Sequence, residues 1–241
     1  MEIIVTKNFA EMSRVTANLA IAQLHKKKSS VFGLATGNTP IGFYRNLVQA
    51  VKRKEISLAR ATTISLDEFA RLDPAHRGSL FYYMRTHFFD KVDLLPKNIH
   101  MLDGCAVDLK KECKRYERLI KEKRGIDWQL LGIGANGHIA WAEPGTSFTS
   151  RTQVLDLTKS SRQAQLKNFK NLKEMPTQGM TMGIGTIMEA KQIVLLASGE
   201  GKAEIIARAL RGKVTKEVPA SVLQRHPRLI VVLDQPAASK L

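Results

Sequence analysis

The chain has 241 residues, with 38 Lys and Arg against 22 Asp and Glu, for a net charge of +16. With 44% hydrophobic and 25% charged residues it has a folded globular composition, which excludes disorder. Length excludes a mini-protein, no apolar run reaches the roughly 18 residues of a membrane-spanning helix, and Cys105 and Cys113 are too few for a disulfide scaffold. Glu2 sits where a signal peptide would be basic, and no apolar signal core follows it. The expected compartment is therefore the cytoplasm, with both thiols reduced. The charge fits nucleic acid, an acidic surface or small anionic substrates.

Residues 1–5 read as a strand, and Met12, Val15, Leu19 and Ala22 fall on one face of a helix over 9–24. VFGLA at 31–35 is a buried strand, followed by a glycine turn and a helix over 40–52. ATTISL at 61–66 is the next strand, and 79–90 and 109–123 are helices, the second with Tyr116, Leu119 and Ile120 as its apolar stripe. WQLLGI at 128–133, then 193–197 and 229–233, complete the strands, with helices near 202–210 and 220–224. Apolar strands alternating with helices predict an α/β fold. It is one domain over 1–241, with a doubly wound, mostly parallel, Rossmann-like sheet and helices on both faces. Ligands of such sheets bind beyond the carboxyl ends of the strands, so the turns there are the places to look.

Four of these turns carry chemistry. In Thr36-Gly37-Asn38-Thr39-Pro40, Gly37 permits close backbone approach, Thr39 can cap and Pro40 suits a first helical position. The turn is an anion cradle or an ordinary strand-to-helix connection. In Ser65-Leu66-Asp67-Glu68-Phe69, two adjacent carboxylates point different ways, one available as a base and the other as an anchor; a solvated acidic turn is the plainer alternative. The segment from Gly132 to Pro144 is the strongest, because Gly132, Gly134 and Gly137 free the backbone around His138, and Glu143 follows five residues later. A carboxylate near a histidine orients the ring for proton transfer; the plainer alternative is a core histidine bonded to a carbonyl. In Ser198-Gly199-Glu200-Gly201-Lys202, a lysine after a glycine loop suits a phosphate, or is one solvated lysine among many.

Taken in order, GLATGNTP (33–40), SLDEF (65–69), LLGIGANGHIAWAEPGTSF (130–148), MTMGIGTIMEAKQIVLLASGEGKA (180–203) and VPAS (218–221) resemble the glucosamine-6-phosphate deaminase family, also called isomerases. Its wider group includes galactosamine-6-phosphate deaminases and 6-phosphogluconolactonases. The resemblance implies conversion of an aminosugar 6-phosphate to a ketose 6-phosphate plus ammonia, with no metal and no organic cofactor. It implies that Asp67 is the base moving a proton between C2 and C1, and that His138, with Asn136 and Glu143 beside it, opens the sugar ring. It places substrate and phosphate contacts at Thr36, Gly37, Asn38, Thr39, Glu68, Lys167 and Lys202.

The chain departs from the family pattern at several positions. Asn136 stands where many members have Asp, Ala142 where Asn is usual, Leu80 where Tyr is common and Lys167 where Arg is usual. Gln153 and Leu155 align with the basic residues that bind the allosteric activator of hexameric members, so no such allostery is expected. The implied partner is a small sugar phosphate, with no nucleic acid or membrane, and the chain is expected as a monomer or small homo-oligomer. Galactosamine 6-phosphate, giving tagatose 6-phosphate, is the alternative substrate, and lactone hydrolysis ranks below both. From another class, a non-catalytic sugar-phosphate sensor or nucleic-acid binder is motivated by the charge. Aromatics are only 6% and no nucleic-acid motif appears.

Overall fold

The computed structural model describes the backbone of residues 1–241 and the side chains of all but Ser160, Ala164, Gln165 and Lys167. The predicted alternation forms a seven-stranded sheet from β1 (Glu2–Thr6), β2 (Val31–Leu34), β3 (Thr62–Ser65), β5 (Ile99–His100), β6 (Trp128–Leu131), β9 (Ile193–Ala197) and β10 (Leu229–Asp234). Its order is β1-β10-β9-β6-β2-β3-β5 and every pairing is parallel. All residues of β2, β3, β6, β9 and β10 are buried, as strands covered on both faces must be. Three longer helices pack around this sheet: α1 (Phe9–Lys26), α2 (Ile41–Lys52) and α4 (Leu109–Glu122). The shorter helices are α3 (Leu80–His87), α5 (Lys159–Gln165), α6 (Ile184–Met188), α7 (Ala203–Arg211) and α8 (Gln235–Ala238). Among the described helices none is long and apolar enough to cross a membrane.

The chain order reverses between β2 and β6: β3 and β5 continue from β2 on one side, and β6 returns to its other side. That reversal opens a crevice at the carboxyl ends of β2 and β6. The Trp128 ring of β6 stacks on Phe43 of α2, with centroids 5.7 Å apart, and meets Phe32 of β2 edge-on at the same separation. These rings lock α2 onto the sheet, so its N-terminus is held at the crevice.

One region differs from the sequence reading. The SLDEF segment is no turn: Asp67–Phe69 is a short strand, β4, in a second sheet of order β4-β8-β7 with β7 (Gln153–Asp156) and β8 (Gln178–Thr181), all antiparallel. β7 is half-buried to exposed and has no apolar alternation, so nothing in its sequence marks it. A separate apolar cluster of Phe69, Leu80, Trp141, Leu157, Phe169 and Met175 supports this sheet. Leu80, one of the departures, is thus a core residue. Smaller corrections concern ends. α2 begins after Pro40, the 79–90 helix ends at His87 and continues only as a 3-10 turn at Phe89–Lys91, and 220–224 lies within a 3-10 segment, Pro219–Arg225.

Candidate active site

A cavity of about 390 Å³ lies at the crevice. Thr36, Gly37, Asn38 and Thr39 line it after β2, Asp67 at the start of β4, Asn136 and His138 after β6, and Lys202 ahead of α7. Eight predicted residues from four separate segments therefore face one space.

At one end is the 36–40 turn. Gly37 has φ +107°, a conformation that disfavours any residue with a Cβ, and the space beside its Cα is open. The Tyr83 hydroxyl of α3 donates to the Gly37 carbonyl at 2.6 Å and fixes the turn. Pro40, and not Thr39, is the residue that caps α2, and it offers no side-chain acceptor. The positive end of the α2 dipole therefore faces the cavity without a capping side chain at Pro40 to blunt it. Lys202 reaches the same region and donates to the Ile133 carbonyl at 2.7 Å, with its pKa lowered by burial. The glycine loop ahead of it is tied down by Asp234, which accepts from the Gly199 N–H at 3.0 Å and from the Ser198 hydroxyl.

On one wall stands the His138–Glu143 couple. The loop closes through Gly134 N–H donating to the His138 carbonyl at 2.9 Å. A Cβ on Gly134 would lie 2.2 Å from the His138 ring, so only glycine leaves room for the imidazole. His138 Nδ1 stands 3.5 Å from Glu143 Oε2, an ion-pair separation at the outer limit of a hydrogen bond. Asn136 donates to the same Glu143 oxygen at 2.6 Å, and Ser161 donates to the other at 2.5 Å. Burial pushes the Glu143 carboxyl up, but His138, Ser161 and Asn136 together outweigh it and hold the pKa down to about 2. Glu143 is therefore a fixed anion behind the ring.

Opposite in character is Asp67, 7% exposed. Burial raises its pKa to about 7, against the lowering effects of the Thr181 hydroxyl, the His138 charge and the Trp141 N–H. Such a carboxyl takes up and releases a proton near neutrality.

Glu68 is not among the residues lining this cavity, in keeping with the opposite facing of successive strand residues. Its oxygens accept from the N–H groups of Phe69 (2.8 Å), Leu80 (3.0 Å) and Phe81 (2.8 Å), and from the Ser79 hydroxyl (3.3 Å). It anchors the start of α3. The predicted Lys167 contact lies outside the described side chains. Sequence reasoning missed Thr181 and Ser161. A lone hydroxyl in the apolar run MTM was the available signal for the first, and none existed for the second.

A family profile described as glucosamine-6-phosphate isomerases/6-phosphogluconolactonase matches residues 6–231. A glucosamine-6-phosphate deaminase of Thermoanaerobacter pseudethanolicus is 44% identical over 99% of this chain and 94% of its own. One of Bacillus velezensis is 43% identical over 99% of both. A solved structure of a monomeric glucosamine-6-phosphate deaminase superposes with TM-score 0.97 at 40% identity, covering 100% of both chains. A 6-phosphogluconolactonase of Thermotoga maritima, 17% identical, shares the fold with TM-score 0.76 over 97% of this chain and 99% of its own.

Proposed function

The chain belongs to the family of glucosamine-6-phosphate isomerases and 6-phosphogluconolactonases, and on that premise we propose that it converts glucosamine 6-phosphate and water to fructose 6-phosphate and ammonia. The observation that carries the reading is a buried carboxyl, Asp67, and an imidazole backed by a carboxylate, His138 with Glu143 3.5 Å behind it, meeting at one cavity that Lys202 also lines. The full-length likeness to deaminases supports the substrate.

The phosphate dianion seats against the α2 N-terminus, residues 36–39 and Lys202, which holds the reacting carbons at a fixed distance. Ring opening removes a proton from the anomeric hydroxyl and supplies one to the ring oxygen; His138, oriented by Glu143 and Asn136, performs both. Asp67 then takes the proton from C2 of the open aldehyde and returns it to C1, while the aldehyde oxygen takes up the proton that the C2 amine gives up and becomes a hydroxyl. C2 becomes an imine, water adds there, and ammonia leaves to give the ketone. Each step is proton transfer, hydration or C–N cleavage, which side-chain acids and bases carry out. Lactone hydrolysis has no use for a proton carrier between adjacent carbons, so it ranks lower.

Residues 1–241 act as one domain and as a monomer, in keeping with the monomeric relative. The cytoplasm suits a phosphorylated substrate and two free thiols, Cys105 and Cys113. The test is ammonia and fructose 6-phosphate release from glucosamine 6-phosphate, run beside galactosamine 6-phosphate and 6-phosphogluconolactone. Faster turnover of the glucosamine substrate is expected. Lactone hydrolysis without deamination reverses the assignment.

A further inference from the structure

We propose that Thr181 is the positioning residue of the proton carrier: its hydroxyl engages one oxygen of Asp67 and leaves the other to exchange the substrate proton. The inference rests on Asp67 as the base of the proposed reaction. Thr181 lies directly opposite Asp67 in the antiparallel β4–β8 pairing and is fully buried. Its hydroxyl accepts the Trp141 N–H at 3.1 Å and contacts Asp67 Oδ1 at 2.5 Å. An amide N–H only donates, so the single hydroxyl hydrogen is directed away from it, toward Asp67. Among the described residues, the one other acceptor near that hydrogen, the Met182 carbonyl, is 3.5 Å away.

Oδ1 is thereby committed as an acceptor. Oδ2 is the oxygen that bonds the proton as the C2–H bond breaks, and that loses it as the C1–H bond forms. The same hydrogen bond favours the ionised carboxylate, the form needed to begin the step. The other groups acting on Asp67 are the Trp141 N–H and His138 from the loop after β6, Glu68 on its own strand and Tyr116 of α4, the Trp141 N–H favouring the charged form. His138 favours the charge and Glu68 opposes it. The Tyr116 hydroxyl is occupied by the carbonyls of Ser65 and His100.

The test compares Thr181→Val and Thr181→Ser with the parent protein by two readouts. One is a carbon-NMR titration of the Asp67 carboxyl, assigned with Asp67→Asn. The other is the pH profile of kcat/KM for glucosamine 6-phosphate. Valine keeps the shape and removes the hydroxyl, so the Asp67 titration and the acid limb of the profile move up together by about one to two pH units. Serine keeps the hydroxyl and leaves both in place. A purely packing role gives the reverse order, with serine the more damaging. If the titration in Thr181→Val matches the parent, the inference fails whatever the activity. If the parent releases no ammonia while the titration still moves, the deaminase reading fails and the hydrogen-bond assignment stands.

Discussion

Asp67 lines the cavity and Glu143 stands behind the His138 ring that lines it, yet the fold drives these two carboxylates in opposite directions. Asp67 has a buried, largely apolar setting and few donors, so its charge is costly and its pKa rises to about 7. Glu143 is also partly buried, but it collects hydroxyl and amide donors, has the His138 ring 3.5 Å away, and falls to about 2. The difference follows burial and donors together: Asp67 is the more deeply buried and desolvation dominates it, whereas Glu143 is less buried and its donors prevail. One group becomes a proton carrier and the other a permanent counter-charge.

The largest expected effect breaks the comparison at Asp67. Asp67→Asn should lower kcat by about 10³-fold, within the range for losing a general base, while inorganic phosphate still competes for the site. It should also change stability. The folded pKa lies above the ordinary value near 3.9, so the folded state holds the extra proton between about pH 4 and 7, and stability falls as pH rises through that window. The asparagine variant removes the slope and raises Tm at pH 8 by several degrees, at roughly 2–4 °C per kcal/mol for a chain of this size. An unchanged Tm would sink the idea that Asp67 ionises at a cost.

A smaller effect is expected at the other pole. Glu143→Gln should lower kcat/KM by about 10–100-fold, because the imidazole loses its orienting charge. The stability signature has the opposite sign. The depressed folded pKa gives Glu143 a contribution that is present above about pH 4.5 and lost as pH falls toward 2, so the glutamine variant flattens the acid-unfolding curve there. Acid denaturation profiles that overlay those of the parent would contradict the donor count.

Glu68→Gln sharpens the contrast from outside the cavity. Turnover and KM should stay close to those of the parent. Tm should drop by about 5 °C, since the amide presents a donor to N–H groups that need acceptors. A raised KM with unchanged Tm would return Glu68 to the substrate site.

The parallel sheet was legible because β2, β6, β9 and β10 are short apolar runs between helices, a pattern that only double-sided burial explains. The 36–40, 132–143 and 198–202 turns were legible because glycines stand where backbone must turn sharply or approach a ring. The second sheet was not. β4 is three residues long and looks like an acidic turn, and its partner strand β8 lies more than a hundred positions away. For the same reason the hydroxyls of Thr181 and Ser161 escaped notice, since their partners are brought near only by tertiary structure. The directions of Asp67 and Glu68 followed from strand alternation once β4 was recognised.

Lys202 is tethered to the Ile133 carbonyl, and among the described residues no carboxylate lies within ion-pair distance of it. The tether is a neutral dipole, so it orients the ammonium group without cancelling it. An arriving dianion therefore has no resident anion to evict, and association is an addition and not an exchange. In a chain carrying +16, this leaves an uncompensated sink at the bottom of a broad attractive field, into which anionic ligands can fall in a single step.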